Sequence, residues 1–180
     1  MSDLSKLTML IAAVCAGVGA FGLAEPVRFR SVLRALPRHR PAAWAFTAIC
    51  FAVAARMLLT APLGRFEGWK PLVYLLAPAL FFLTVHFVDE LLAARALGGL
   101  LVLFPEPVLA ASRMNDSPWR LVVVVLMYLW AVSGMLLVLY PYQLRLKSEK
   151  WLNTDGKCRL WGAVNVALSA VLFVLALRTL

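Results

Sequence analysis

Apolar residues in this chain come in blocks of roughly 18–22, the length that carries a helix across about 30 Å of hydrocarbon. Short polar loops separate the blocks. Composition says the same: 63% of the residues are hydrophobic and 15% charged, against about 45–50% and about a quarter in a soluble domain. So little polar surface cannot coat a globule. The fold class read from the sequence is all-α, a polytopic transmembrane helix bundle forming one integral membrane domain.

The spans fall at about 7–24, 42–61, 71–88, 91–108, 119–140 and 160–177, judged by the length of about 20 apolar residues that a crossing needs. The middle pair is the ambiguous part. From Pro71 to Phe104 the chain is apolar except for His86, Asp89, Glu90 and Arg95. Either Asp89-Glu90 is a turn between two spans, or the charges lie within one overlong helix. Two basic clusters settle the parity. Arg28, Arg30, Arg34, Arg38 and Arg40 lie in the loop 27–41, and Arg145, Lys147, Lys150, Lys157 and Arg159 in the loop 142–159. Basic loops stay on the cytoplasmic side, so an even number of crossings separates them. Six spans satisfy this; five, the alternative, would place one cluster outside. The expected topology has both basic loops in the cytoplasm and the N- and C-termini outside. The weak point is the turn, since Asp-Glu has no Gly or Pro to close it.

Gly22-Leu23-Ala24 resembles a small-residue signal-cleavage site, but the arginine cluster that follows resists translocation, so span 1 reads as a retained anchor. Trp44, Trp119 and Trp161 fall at span starts and Trp69 just before one, as expected at headgroup level. Gly19/Pro26, Gly64/Pro71, Gly98/Pro105 and Gly134/Pro141 share the spacing Gly-x6-Pro. On that basis spans 1–2 and 5–6 could be related hairpins. Small-residue faces run along Ala12, Ala16 and Ala20, along Ala45, Ala48, Ala52 and Ala55, and along Gly162, Asn165 and Ser169. Such faces let helices approach closely, and Asn165 could bond across.

The segment Gly134-Met-Leu-Leu-Val-Leu-Tyr-Pro141, the polar loop after it, then Arg159-Leu-Trp-Gly162 and a small-rich span resemble the small two-span bacterial inner-membrane proteins of the YjeT type. The resemblance covers about a quarter of the chain and implies a bacterial inner membrane. It brings no activity with it. Arg outnumbers Lys 13 to 5 and Ile occurs twice, a usage that fits a GC-rich, bacterial genome.

Candidate chemistry is sparse. His86, Asp89 and Glu90 would be i, i+3 and i, i+4 neighbours if helical, and Arg95 follows. This is the candidate polar cluster, with an interfacial turn carrying a local ion pair as its plain structural alternative. His86 is also the only candidate cofactor contact. A single-His haem or chlorin is conceivable there, but a bis-His haem is not, because the other histidine, His39, lies in the basic loop. No cofactor is therefore predicted. Arg28, Arg30, Arg34, Arg38 and Arg40 form a candidate lipid- or partner-docking loop, since Arg forks bind phosphate and juxtamembrane clusters attract anionic lipid. Arg56, near the outer end of span 2, can snorkel or pair with a lipid phosphate or a partner.

Net charge is +9, but with no soluble module the basic residues read as topology signals rather than a nucleic-acid interface. Cys15 and Cys50 lie in spans and Cys158 at a span edge, with no CxxC pair to suggest zinc or a disulfide framework. No predicted span contains Lys. There is no Walker motif, His-rich metal motif or nucleophile elbow, so neither catalytic nor metal residues are assigned. The expected function is a non-catalytic membrane subunit or assembly factor of a larger bacterial complex, with membrane lipids and other subunits or itself as partners. A small-solute transporter or channel subunit and an accessory electron-transfer subunit are the alternatives.

Overall fold

The computed structural model describes residues 3–36, 39–87, 91–142, 146 and 154–178. Among these there is no strand. The helices are α1 (Asp3–Ala24), α2 (Pro26–Ala35), α3 (Arg40–Thr60), α4 (Lys70–Phe87), α5 (Leu92–Leu103), α6 (Pro105–Arg113), α7 (Arg120–Leu139) and α8 (Asp155–Arg178). A 3-10 turn, Gly64–Trp69, leads into α4. Six helical segments are long and apolar enough to span a membrane, with α5 and α6 together making the fourth. The protein is thus a six-span helical bundle, and the region 71–108 holds two crossings.

Local sequence explains most boundaries. Pro26 and Pro41 sit in the first turns of α2 and α3, where the missing N–H has no helical partner to lose. His39 caps α3, its Nδ1 accepting from the Ala42 N–H at 3.2 Å. At the corner between α6 and α7, Asn115 Oδ1 accepts from the Ser117 N–H at 2.9 Å. Arg120 ties that corner together by donating to the carbonyls of Ser112 and Asn115. The entry to α5 is less ordinary. Leu91 has φ 56°, a left-handed conformation that costs a non-glycine residue roughly 1–2 kcal/mol.

Span 4 is longer than the sequence suggests. The sequence ends span 4 near 108, with Pro105 close to that end, yet α6 carries the span to Arg113. Phe104 keeps helical angles (φ −61°, ψ −36°), and Pro105 occupies the first helical position after the break. The ring of Phe104 lies 6.0 Å from that of Trp130, which accounts for a tryptophan in mid-span.

The closest pairing joins the first and last spans. α1 runs antiparallel along α8 in a seam of small residues every seven positions: Ser5, Ala12 and Gly19 against Ala176, Ser169 and Gly162. Ser5 Oγ donates to the Ala176 carbonyl at 2.8 Å and Ser169 Oγ to the Ala12 carbonyl at 2.7 Å. At the third level a Cβ on Gly19 would fall 2.8 Å from the Gly162 carbonyl oxygen, and one on Gly162 2.7 Å from that of Gly19. α5 and α7 form a second close pair, in which a Cβ on Gly98 would lie 2.8 Å from the Gly134 oxygen and one on Gly134 2.6 Å from that of Gly98. Three of the four glycines in the Gly-x6-Pro spacing are therefore backbone contacts between helices. Gly64 is not; it has φ +55° and open space around it.

These seams revise the expected faces. Ala12 is buried but Ala20 is exposed, because the working period is seven rather than four. Asn165 Nδ2 bonds back to its own Trp161 carbonyl at 2.9 Å instead of across. One apolar core joins α1, α6, α7 and α8 around Leu4, Ile11, Val108, Val123, Met127 and Leu172. A smaller one joins α3, α4 and α5 around Ala43, Val85, Leu92 and Ala93.

Candidate functional site

One face of the bundle collects α2, the end of α4, the start of α5 and the start of α8. The sequence places α2 in a loop, because its arginines mask a helix that buries only Pro26 and Phe29. Phe29 sits between Phe21 (5.7 Å) and Trp161 (5.3 Å), and Arg30 pairs with Asp155 at the start of α8. The two basic regions therefore meet on one face, as parity requires. Arg28 is exposed and bridges Glu25 at 2.8 Å. Arg34 and Arg40 are exposed as well, while Arg38 lies outside the described residues. Val27 and Val32 are exposed beside these arginines. The result is a short helix fixed to the bundle by one aromatic residue, with cations and valines turned outward.

On the same face, His86 is exposed in the last turn of α4, its ring against that of Phe87 at 5.3 Å. Arg95 is exposed in the first turn of α5, on the side away from the buried Leu92, Ala93, Ala94 and Ala96. Asp89 and Glu90, which would neighbour His86 only on a continuous helix, lie outside the described residues. Among the described residues no three His, Cys, Asp or Glu side chains are grouped as a metal site would require.

The opposite half of the bundle holds two groups of more interest. Arg56 lines a cleft of about 440 Å³ between α3 and α4, together with Ala52, Ala55, Thr60, Tyr74 and Pro78. The lining is mostly apolar. Pro78, inside α4, lacks the N–H that would bond the Tyr74 carbonyl. Thr60 Oγ1 donates to the Arg56 carbonyl at 3.0 Å. The Arg56 guanidinium has no carboxylate partner among the described residues.

Glu106 is the residue that sequence reasoning passes over. With span 4 ending near 108 it sits at the margin; with the span reaching Arg113 it lies inside the apolar segment. Its signal is an acid held between Pro105 and Pro107 in an apolar run. It occupies the first turn of α6, where the helix dipole favours a carboxylate. α3 and α5 run parallel: Ala43 packs with Leu92 and Ala93, and a Cβ on Gly99 would meet Cys50 Sγ at 2.9 Å. That register carries position 57 to the level of 106, which puts Arg56 and Glu106 at similar depth. They do not pair among the described residues, because α6 turns its buried side to α1 and α7.

No protein-family model, curated protein or solved structure matches the chain.

Proposed function

We propose that this chain is a non-catalytic integral membrane subunit or assembly factor of a larger bacterial membrane complex. It would sit in the inner membrane with the α2 face in the cytoplasm and the termini outside. The observation that carries the reading is the uneven covering of its spans. Only 11% of the apolar window is buried in spans 2 and 3, against 39% in span 4. Tyr74, Leu75, Phe82, Leu83 and Phe87 of α4 are exposed, and large apolar residues of this kind supply the contact area of helix interfaces in a complex. Spans 1, 4, 5 and 6 by contrast share the larger core. Extraction from native membranes in mild detergent tests this. A stoichiometric membrane partner is expected, released by the pair Phe82→Ala and Leu83→Ala. A monomer in every mild detergent overturns it.

The depth of Arg56 and Glu106 favours a second reading, a small-solute transporter or channel subunit, because ionisable groups within spans are costly and commonly line transport paths. Solute flux into proteoliposomes that is lost in Glu106→Gln supports that reading. Intact complex formation by Glu106→Gln, with no flux in the parent protein, supports the first.

A further inference from the structure

The cleft between α3 and α4 is an open, mostly apolar groove with no occupant from this chain. Its volume, about 440 Å³, falls within the roughly 300–1,000 Å³ of small-ligand sites. Its walls are the small side chains Ala52 and Ala55 on one helix and Val73 and Pro78 on the other. Such walls accept a slender apolar chain and offer it no hydrogen bonds. Arg56 stands near the end of the cleft, one turn before α3 stops at Thr60. Tyr74, opposite, is 72% exposed. Both helices lie at the uncovered side of the bundle, so the cleft faces the lipid rather than the core.

Arg56, one turn inside a span and without a carboxylate partner among the described residues, is placed to meet an anion at headgroup depth. Arg is suited to phosphate because its planar fork donates two parallel bonds. Tyr74 adds a hydroxyl near the mouth, and its carbonyl, left without a helical donor by Pro78, can accept from a hydroxyl-bearing headgroup. We propose that this cleft binds one anionic phospholipid, an acyl chain between α3 and α4 and the phosphodiester on Arg56, in the leaflet away from the α2 face. The proposal stands independently of the subunit reading, since a lipid can fill the cleft with or without a protein partner on the outer faces of the same helices.

A local probe is needed because the arginines of α2 will also attract anionic lipid. A benzophenone amino acid placed at Leu59, which lines the cleft and supplies none of the proposed polar contacts, provides it. The full chain is reconstituted in vesicles of phosphatidylcholine with one-tenth phosphatidylglycerol and irradiated, and the cross-linked lipid is identified by mass spectrometry. The ratio of phosphatidylglycerol to phosphatidylcholine in the adduct is expected about ten-fold above that of the vesicle, so that phosphatidylglycerol makes up about half of it, the factor that about 1.4 kcal/mol of charge-assisted bonding gives. In Arg56→Gln the adduct should fall to the bulk lipid ratio, and in Arg56→Lys part of the enrichment should remain. Ala77→Phe, which fills the cleft and keeps the charge, should also abolish the enrichment. Adducts at the bulk ratio with Arg56 present, enrichment that survives Arg56→Gln or Ala77→Phe, or cross-linking to a second copy of the chain would each overturn the proposal.

Discussion

At the scale of single residues, the glycines separate into two kinds, and substitutions should report which is which. Gly98 and Gly134 face each other through their backbones, and the atom nearest to a Cβ on either is the other's carbonyl oxygen, which cannot swing aside as a side chain can. Gly134→Val should therefore destabilise the protein by about 1–3 kcal/mol, the cost of overpacking a fitted contact, and should lower the melting temperature in detergent accordingly. A Cβ on Gly17 would meet nothing within 4 Å. Gly17→Ala should be neutral or stabilising by up to about 1 kcal/mol, because Gly in a helix interior carries that entropic cost. Leu91 offers a third contrast. Its left-handed backbone tolerates glycine, so Leu91→Gly should melt close to the parent, whereas a β-branched residue is a true outlier there. Leu91→Ile should lose about 1 kcal/mol or more, read by the same thermal assay.

At the scale of elements, the two hydroxyl bonds of the α1–α8 seam are both buried. Within membranes such bonds average about 0.6 kcal/mol, so Ser5→Ala with Ser169→Ala should cost on the order of 1 kcal/mol and leave the helices paired. The glycines at the third level matter more. α2 is held differently, by Phe29 between two rings and by the Arg30–Asp155 bridge. Asp155 is half exposed, and exposed bridges contribute about 0–1 kcal/mol. Phe29→Ala should raise hydrogen exchange across 26–35 far more than Asp155→Asn does. Equal effects would mean that the ion pair, not the aromatic contact, fixes the helix.

For the molecule as a whole, the six-span topology is legible because two basic clusters impose parity. Sidedness can be checked directly: with Cys15, Cys50 and Cys158 replaced, cysteines at Val32 and Gly156 should label from one side and a cysteine at Gly68 from the other. What the sequence hides has physical reasons. Pro105 looks like a stop, but a proline at a first helical position costs little, so α6 continues and Glu106 moves inward. Arg28, Arg30 and Arg34 conceal the helix α2, because only Phe29 and Pro26 need burial. The α1–α8 pairing is invisible because its period of seven competes with denser alanine stripes at four, of which Ala12 lies in the seam, Ala20 faces outward and Ala52 and Ala55 line the cleft. Arg56 is visible as an ionisable residue in span 2; the cleft beside it requires knowing which residues of α4 face Ala52 and Ala55 of α3.

The seam between the first and last spans also sets an order of events. Ser5 and Ala176 are 171 residues apart. At about 5–20 residues per second of synthesis, α1 waits roughly 10–30 s in the bilayer before its mate is made. Through that interval its glycine face is open to whatever small-faced helix passes, so fidelity of assembly depends on the nascent α1 being sheltered until the ribosome delivers α8.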